Sequence, residues 1–141
     1  MTARQDILDH ITEAVGNVEA IDGRAYQLGA AGANMADQPA AFIGWTEDRV
    51  EYGPANGRFS RFLQVFVVIA CQEDTDGLAK TVDALLAAVE EAVMADPTQG
   101  GYAYDSRNLS AELRPVIEGV PEGVAAVYLE VQYFVASLGV A

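Results

Sequence analysis

Several residue types that chemistry usually recruits are scarce in this chain of 141 residues. It has one cysteine (Cys71), one histidine (His10) and one lysine (Lys80). A lone cysteine excludes a disulfide framework or a thiolate metal cluster within one chain. It leaves the compartment open, with a reducing cytosol the easier home. Eight basic residues against 21 acidic ones give a formal net charge of −13. Such a chain repels phosphate backbones, which disfavours nucleic-acid binding by counterion release. The acidic residues are spread along the sequence, as on a solvated surface, and are not gathered into a tail. No apolar run approaches the ~18 residues of a membrane span. No basic N-terminal stretch leads into a hydrophobic signal core, so a non-exported chain is expected.

What is present is the material of a packed core. Hydrophobic residues make up 51% of the chain and charged residues 21%, a globular composition. At this length one domain over residues 1–141 is expected, burying about two-thirds of the unfolded chain's surface without a staple.

The N-terminal segment reads as a helix. Thr2 and Gln5 have capping-box spacing, and Ile7, Leu8, Ile11, Val15 and Val18 form one stripe. Gly16 and Asn17 mark its end. Residues 18–27 predict a short strand broken by the turn dipeptide Asp22-Gly23. Residues 28–38 are small and aperiodic and read as a loop. Residues 40–71 read as a long hairpin turning at residues 53–57. Its second strand has Leu63, Val65, Val67, Ile69 and Cys71 on one face, and Phe62, Gln64, Phe66, Val68 and Ala70 on the other. Both faces are apolar at the centre, which predicts burial on both sides. Asp74, Thr75 or Asp76 can cap a second helix, which carries Leu78, Val82, Leu85, Leu86, Val89 and Val93 on its apolar stripe and ends before Pro97. Residues 102–115 and 124–136 give two more strands around a turn at 119–123. The order α-β-β-β-α-β-β predicts an α+β domain: a mixed, mostly antiparallel sheet with both helices on one face.

Each candidate for chemistry has a simpler reading. His10 beside Asp9 has the pairing of a general base, but a solvated helix-face histidine accounts for it as well. Cys71 precedes a helix, yet it closes an apolar strand, where core packing is expected. Residues 72–77 resemble the start of a calcium loop, with Asp74, Asp76 and Gly77 at fitting positions. Gln72 and Asp83 depart from its first and last positions, and acidic residues at a helix start are favourable without metal. Gly29 and Gly32 lack the third glycine of a dinucleotide fingerprint. Ser60, Ser106, Ser110 and Ser137 lack an elbow motif and share one histidine. No catalytic, cofactor or metal site is expected, and the chain reads as a non-enzyme.

Arg58 and Arg61, either side of Phe59, are candidate anchors for an anionic partner or charges guarding a strand edge. The polar arm at residues 46–51, with Trp45, Glu47, Arg49 and Glu51, is the other candidate for subunit or partner contacts.

The combination of Arg-Phe-Leu-Gln-Val-Phe-Val-Val-Ile-Ala at 61–70, Asp-Ala-Leu-Leu-Ala-Ala-Val-Glu-Glu-Ala-Val at 83–93 and Ala-Asp-Pro-Thr-Gln-Gly-Gly at 95–101 resembles the tail terminator proteins of long-tailed phages. Ser-Arg-Asn-Leu-Ser-Ala-Glu-Leu at 106–113 and Val-Tyr-Leu-Glu-Val-Gln-Tyr-Phe-Val at 127–135 fit the same layout. The similarity spans residues 2–136 and is strongest over 61–112. It implies a hexameric ring on the head-proximal end of a tail tube, stopping polymerisation and meeting the head-completion (neck) proteins. Phage-like gene transfer agents use similar subunits. No catalytic residue comes with the resemblance. It implies a virion location, with DNA passing through an acidic ring without specific binding. The alternatives are another head–tail connector, a small ligand-binding domain with a pocket under residues 28–38, and a calcium-regulated adaptor.

Overall fold

The computed structural model describes residues 2–27, 39–51, 59–72, 78–113 and 122–135. They form helix α1 (Ala3–Gly16), strands β1 (Ala25–Gln27), β2 (Ala40–Glu51) and β3 (Phe59–Gln72), helix α2 (Leu78–Met94), and strands β4 (Asp105–Leu113) and β5 (Glu122–Val135). The expected α+β order is therefore the observed one. One five-stranded sheet runs β1-β2-β3-β5-β4. Only β1–β2 is parallel; the remaining pairs are antiparallel.

Thr2 caps α1 by accepting from the Gln5 backbone amide at 3.1 Å. The Gln5 side chain does not complete the box. It donates instead to Asp9 and Gln27, tying α1 to β1. Asn17 closes the helix. The strand expected over residues 18–27 shrinks to Ala25–Gln27. The preceding residues coil into turns, with Asp22 and Gly23 at positive φ and Ile21 fully buried beneath them.

The path from β3 to β4 sets the topology. β3 and β4 both run antiparallel to β5, so they are parallel to each other with β5 between them. A parallel return needs a crossover, and α2 supplies it: its 17 residues span about 25 Å. α2 lies over β3, β5 and β4, while α1 lies over β1 and β2 beside it. Ile7, Ile11 and Val15 of α1 and Val82, Val89 and Val93 of α2 share one core with Leu63, Val65, Val67 and Ile69 of β3 and Val127, Leu129 and Val131 of β5.

Both helices thus sit on the same side of the sheet, and the expected double-sided burial of β3 is only half observed. Phe62, Gln64, Phe66 and Val68 are partly exposed on the other side. The calls at residues 28–38, 53–57 and 74–76, together with Arg58 and Ser137, lie outside the described residues.

Candidate interaction surfaces

A β-bulge in β2 builds the most polar feature of the interior. Ala41, Ile43 and Trp45 pair with Ile69, Val67 and Val65 on the helix-covered side. The register then shifts between Trp45 and Glu47. One extra residue reverses the in–out alternation. Asp48, opposite Leu63, therefore turns inward, and Glu47, Arg49 and Glu51 turn to the open side. The Asp48 side chain is 3% exposed. Its Oδ2 accepts from Arg4 Nη1 at 2.9 Å and from the Tyr133 hydroxyl, and Arg61 Nη2 stands at 3.3 Å. Arg4 also lies over the Trp45 ring, 4.4 Å from its centroid. The cluster fastens the start of α1 to three strands. Burial, followed by the hydrogen bond to Asp48, raises the Tyr133 phenol above its ordinary pKa of 10.

A second junction forms where α2 ends. Asp96 accepts from the Thr98 backbone amide, the Thr98 hydroxyl and the Gly100 amide. This turn carries Gln99, at φ 47, into full burial. Gln99 Nε2 donates to the Val93 carbonyl and to Ser106 Oγ, each at 3.1 Å. Its Oε1 then faces His10 Nδ1 at 3.0 Å, which makes that ring nitrogen the donor. Gly100, at φ 74, leaves no room for a side chain: a Cβ would meet the His10 ring at 2.8 Å. Helix end, edge strand and first helix are joined here through a single side chain.

The side-chain hydrogen bond from Thr98, the amide of Gly100 and, last, the charge of His10 hold the Asp96 carboxyl below its ordinary 3.8. A depressed folded-state value stabilises the fold above the unfolded pKa, and that contribution is lost as pH falls through the folded value. Asp96→Asn is therefore expected to lower the urea midpoint at pH 6. The gap from the parent should narrow as both are acidified below pH ~4.

The residues singled out from sequence separate into two sets. Trp45 is 42% exposed under Arg4, on the helix side. Arg61 faces the same side, opposite Val50 and Tyr133 and paired to Asp48, with its side chain 13% exposed. Glu47, Arg49 and Glu51 lie on the open side, where Arg49 sits over Phe62 and near Glu130. The arm at residues 46–51 is a paired part of the sheet, running beside β3 along its length. His10 belongs to the Gln99 junction, Ser106 is buried in it, and Cys71 is a core residue. Among the described residues no three His, Cys, Asp or Glu side chains group as metal ligands, and no helix is long and apolar enough to cross a membrane.

Among the described residues, two apolar surfaces lie on the two sides of the sheet. On the open side of the sheet the register places Phe42, Phe66, Val68, Ala126 and Tyr128 together. Phe134 follows along β5 and is 37% exposed, as is Tyr128. On the opposite side, a groove of about 580 Å³ runs between α2 and the turn after α1. Among the described residues Val18, Ala20, Pro39, Ala84, Leu85 and Ala88 line it, together with the charged Glu19.

No family model matches the chain, and no curated protein matches it. Among solved structures, a chain from the virion of a native gene transfer agent (GTA) particle superposes with a TM-score of 0.58 at 13% identity. The match covers 95% of this chain and 92% of that one. At this identity the likeness is one of fold.

Proposed function

We propose that this chain is a structural subunit of a phage-like particle: a tail terminator whose ring, a hexamer by the resemblance, caps the head-proximal end of the tail tube. The observation that supports it best is the near end-to-end agreement of fold with a chain of a gene transfer agent virion. The sequence resemblance to tail terminators spans the same elements. The polar residues fit a structural role as well: the buried ones hold helices to the sheet instead of converging on an open pocket. In this reading the chain works by surfaces, without catalysis or cofactor. The ring stops tube growth, presents a face to a neck protein and lets DNA pass an acidic lining. A head-completion subunit is the nearest alternative, since it shares the size and acidity.

Deleting the gene in a particle-producing host separates the two. A terminator's absence leaves tails that fail to stop at their set length and do not join heads. Filled heads beside free tails of normal length identify a neck component instead.

A further inference from the structure

We propose that the free chain pairs with a second copy of itself through the outer edge of β4, the two strands running antiparallel about a twofold axis at Ser110. Among the described residues no strand pairs with that edge. From Arg107 to Leu113 every residue of β4 is exposed, the apolar Leu109 and Leu113 included. An open edge of this kind is a template for another strand. The opposite edge of the sheet differs, because β1 pairs with β2 at residues 41–43 and takes up part of it.

Bulges and charges usually discourage such pairing, but here they decide which strand fits. Arg107 and Glu112 are an odd number of residues apart, so in a regular strand they would point to opposite faces. The register instead slips between Asn108 and Ser110, which sets Arg107 opposite Glu130 and Glu112 opposite Ala126, both on the open side of the sheet. With Leu109 as the extra residue, each charge stands two ladder positions from Ser110, one on either side. The edge is thereby self-complementary. When Ser110 meets its mate on the second copy, Arg107 lies opposite the second copy's Glu112, and Glu112 opposite its Arg107. The bulges fall at symmetric places in the two strands, and every pair keeps its face. Asn108 meets the second copy's Ala111 on the helix side, and Ser106 meets its Leu113.

Opposite charges directly across a strand pair are favourable, and like charges there are not. Sliding the register by two positions either way loses the match of Arg107 with Glu112. The Tyr128 hydroxyl donates to Glu112 at 3.3 Å and holds that carboxylate at the edge. Asp105 is the other carboxylate of β4, and it lies only diagonally from the second copy's Glu112, at the longer cross-strand spacing. On the helix side Glu90 is held by Asn108 of its own chain. A twofold contact closes at two copies, so it goes beyond the ring reading and describes the free chain, whose edge it covers. A pair of strands over residues 106–113 is a small interface, for which a dissociation constant on the order of 10 μM is expected.

Charge reversal in the full chain tests it. Arg107→Glu and Glu112→Arg each set like charges opposite one another twice, and both positions are exposed, so the fold should tolerate them. Thermal unfolding checks that it does. By sedimentation velocity the parent is expected to dimerise and each variant to do so at least tenfold more weakly. An equimolar mixture of the two variants should recover a heterodimer of parent strength, and the double variant should dimerise like the parent. Ser110→Cys should crosslink to its own mate under mild oxidation, because directly opposite residues lie within disulfide reach and the native Cys71 is buried. A parent that stays monomeric well above the expected dissociation constant, single variants that associate like the parent, or a mixture no tighter than either variant alone overturns the proposal. Pairing of β4 with the free stretch of β2 would overturn it too, and would show as an unrestored double variant with no crosslink at residue 110. The contact stands or falls apart from the terminator reading, which tail length tests.

Discussion

Replacing Asp48 with alanine is expected to destabilise the fold by about 3–5 kcal/mol, the usual cost of removing one partner of a buried charge pair. The carboxylate is almost fully buried and receives Arg4, Arg61 and Tyr133. Without it, Arg61 keeps a positive charge in a site that is only 13% exposed, and burying an unpaired charge is expensive. Arg4, 25% exposed, can turn to water, so Arg4→Ala should cost much less, about 1 kcal/mol. Urea unfolding at concentrations low enough to hold the chain monomeric measures both. A loss below about 1 kcal/mol for Asp48→Ala would show that the cluster adds little to the fold, and equal losses in the two variants would contradict the ranking of Arg61 over Arg4 as the charge that suffers when the carboxylate is removed.

Gln99→Ala is expected to cost roughly 3 kcal/mol, from lost hydrogen bonds and the buried groups left unsatisfied at about 1 kcal/mol or more each. The Val93 carbonyl and His10 Nδ1 lose this partner, and Ser106 Oγ loses the bond it accepts while still donating to the Pro97 carbonyl. The informative comparison is Gln99→Gly. Glycine relieves the left-handed backbone at this position, a gain of about 1 kcal/mol, yet it removes the same hydrogen bonds. Gln99→Gly should therefore fall between the parent and Gln99→Ala. If Gln99→Gly matches or exceeds the parent in urea, the side chain is dispensable and the turn matters only for its shape.

These two sites also mark where sequence reasoning ran out. Helices α1 and α2 and strands β3 and β5 were legible because their apolar residues keep period 3.6 or 2 over many positions. The stop after α2 was legible from Pro97, and the end of α1 from Gly16 and Asn17. Asp48 was not, because alternation along β2 points Glu47 inward until a bulge, invisible to the pattern, reverses it. Arg61 was a candidate partner anchor in sequence; within the folded chain its Nη2 pairs with the buried Asp48 carboxylate. Gln99 passed for a loop residue in Asp-Pro-Thr-Gln-Gly-Gly. The signal was the pair of glycines after it: Gly100 and Gly101 both take positive φ, a conformation that glycine adopts without penalty. Both faces of β3 were expected to be buried, and the structure covers one of them. The apolarity of the other was read correctly, but strand patterns cannot say whether the cover is a helix of the same chain or another molecule.

The central claim is that this chain ends a tail tube. The most direct measurement is the distribution of tail lengths, by electron microscopy, in particles from a host deleted for the gene, with and without the gene restored. Tails that overrun the normal length in the deletion and return to one sharp length on complementation are the predicted result. A sharp, normal length in the deletion contradicts it.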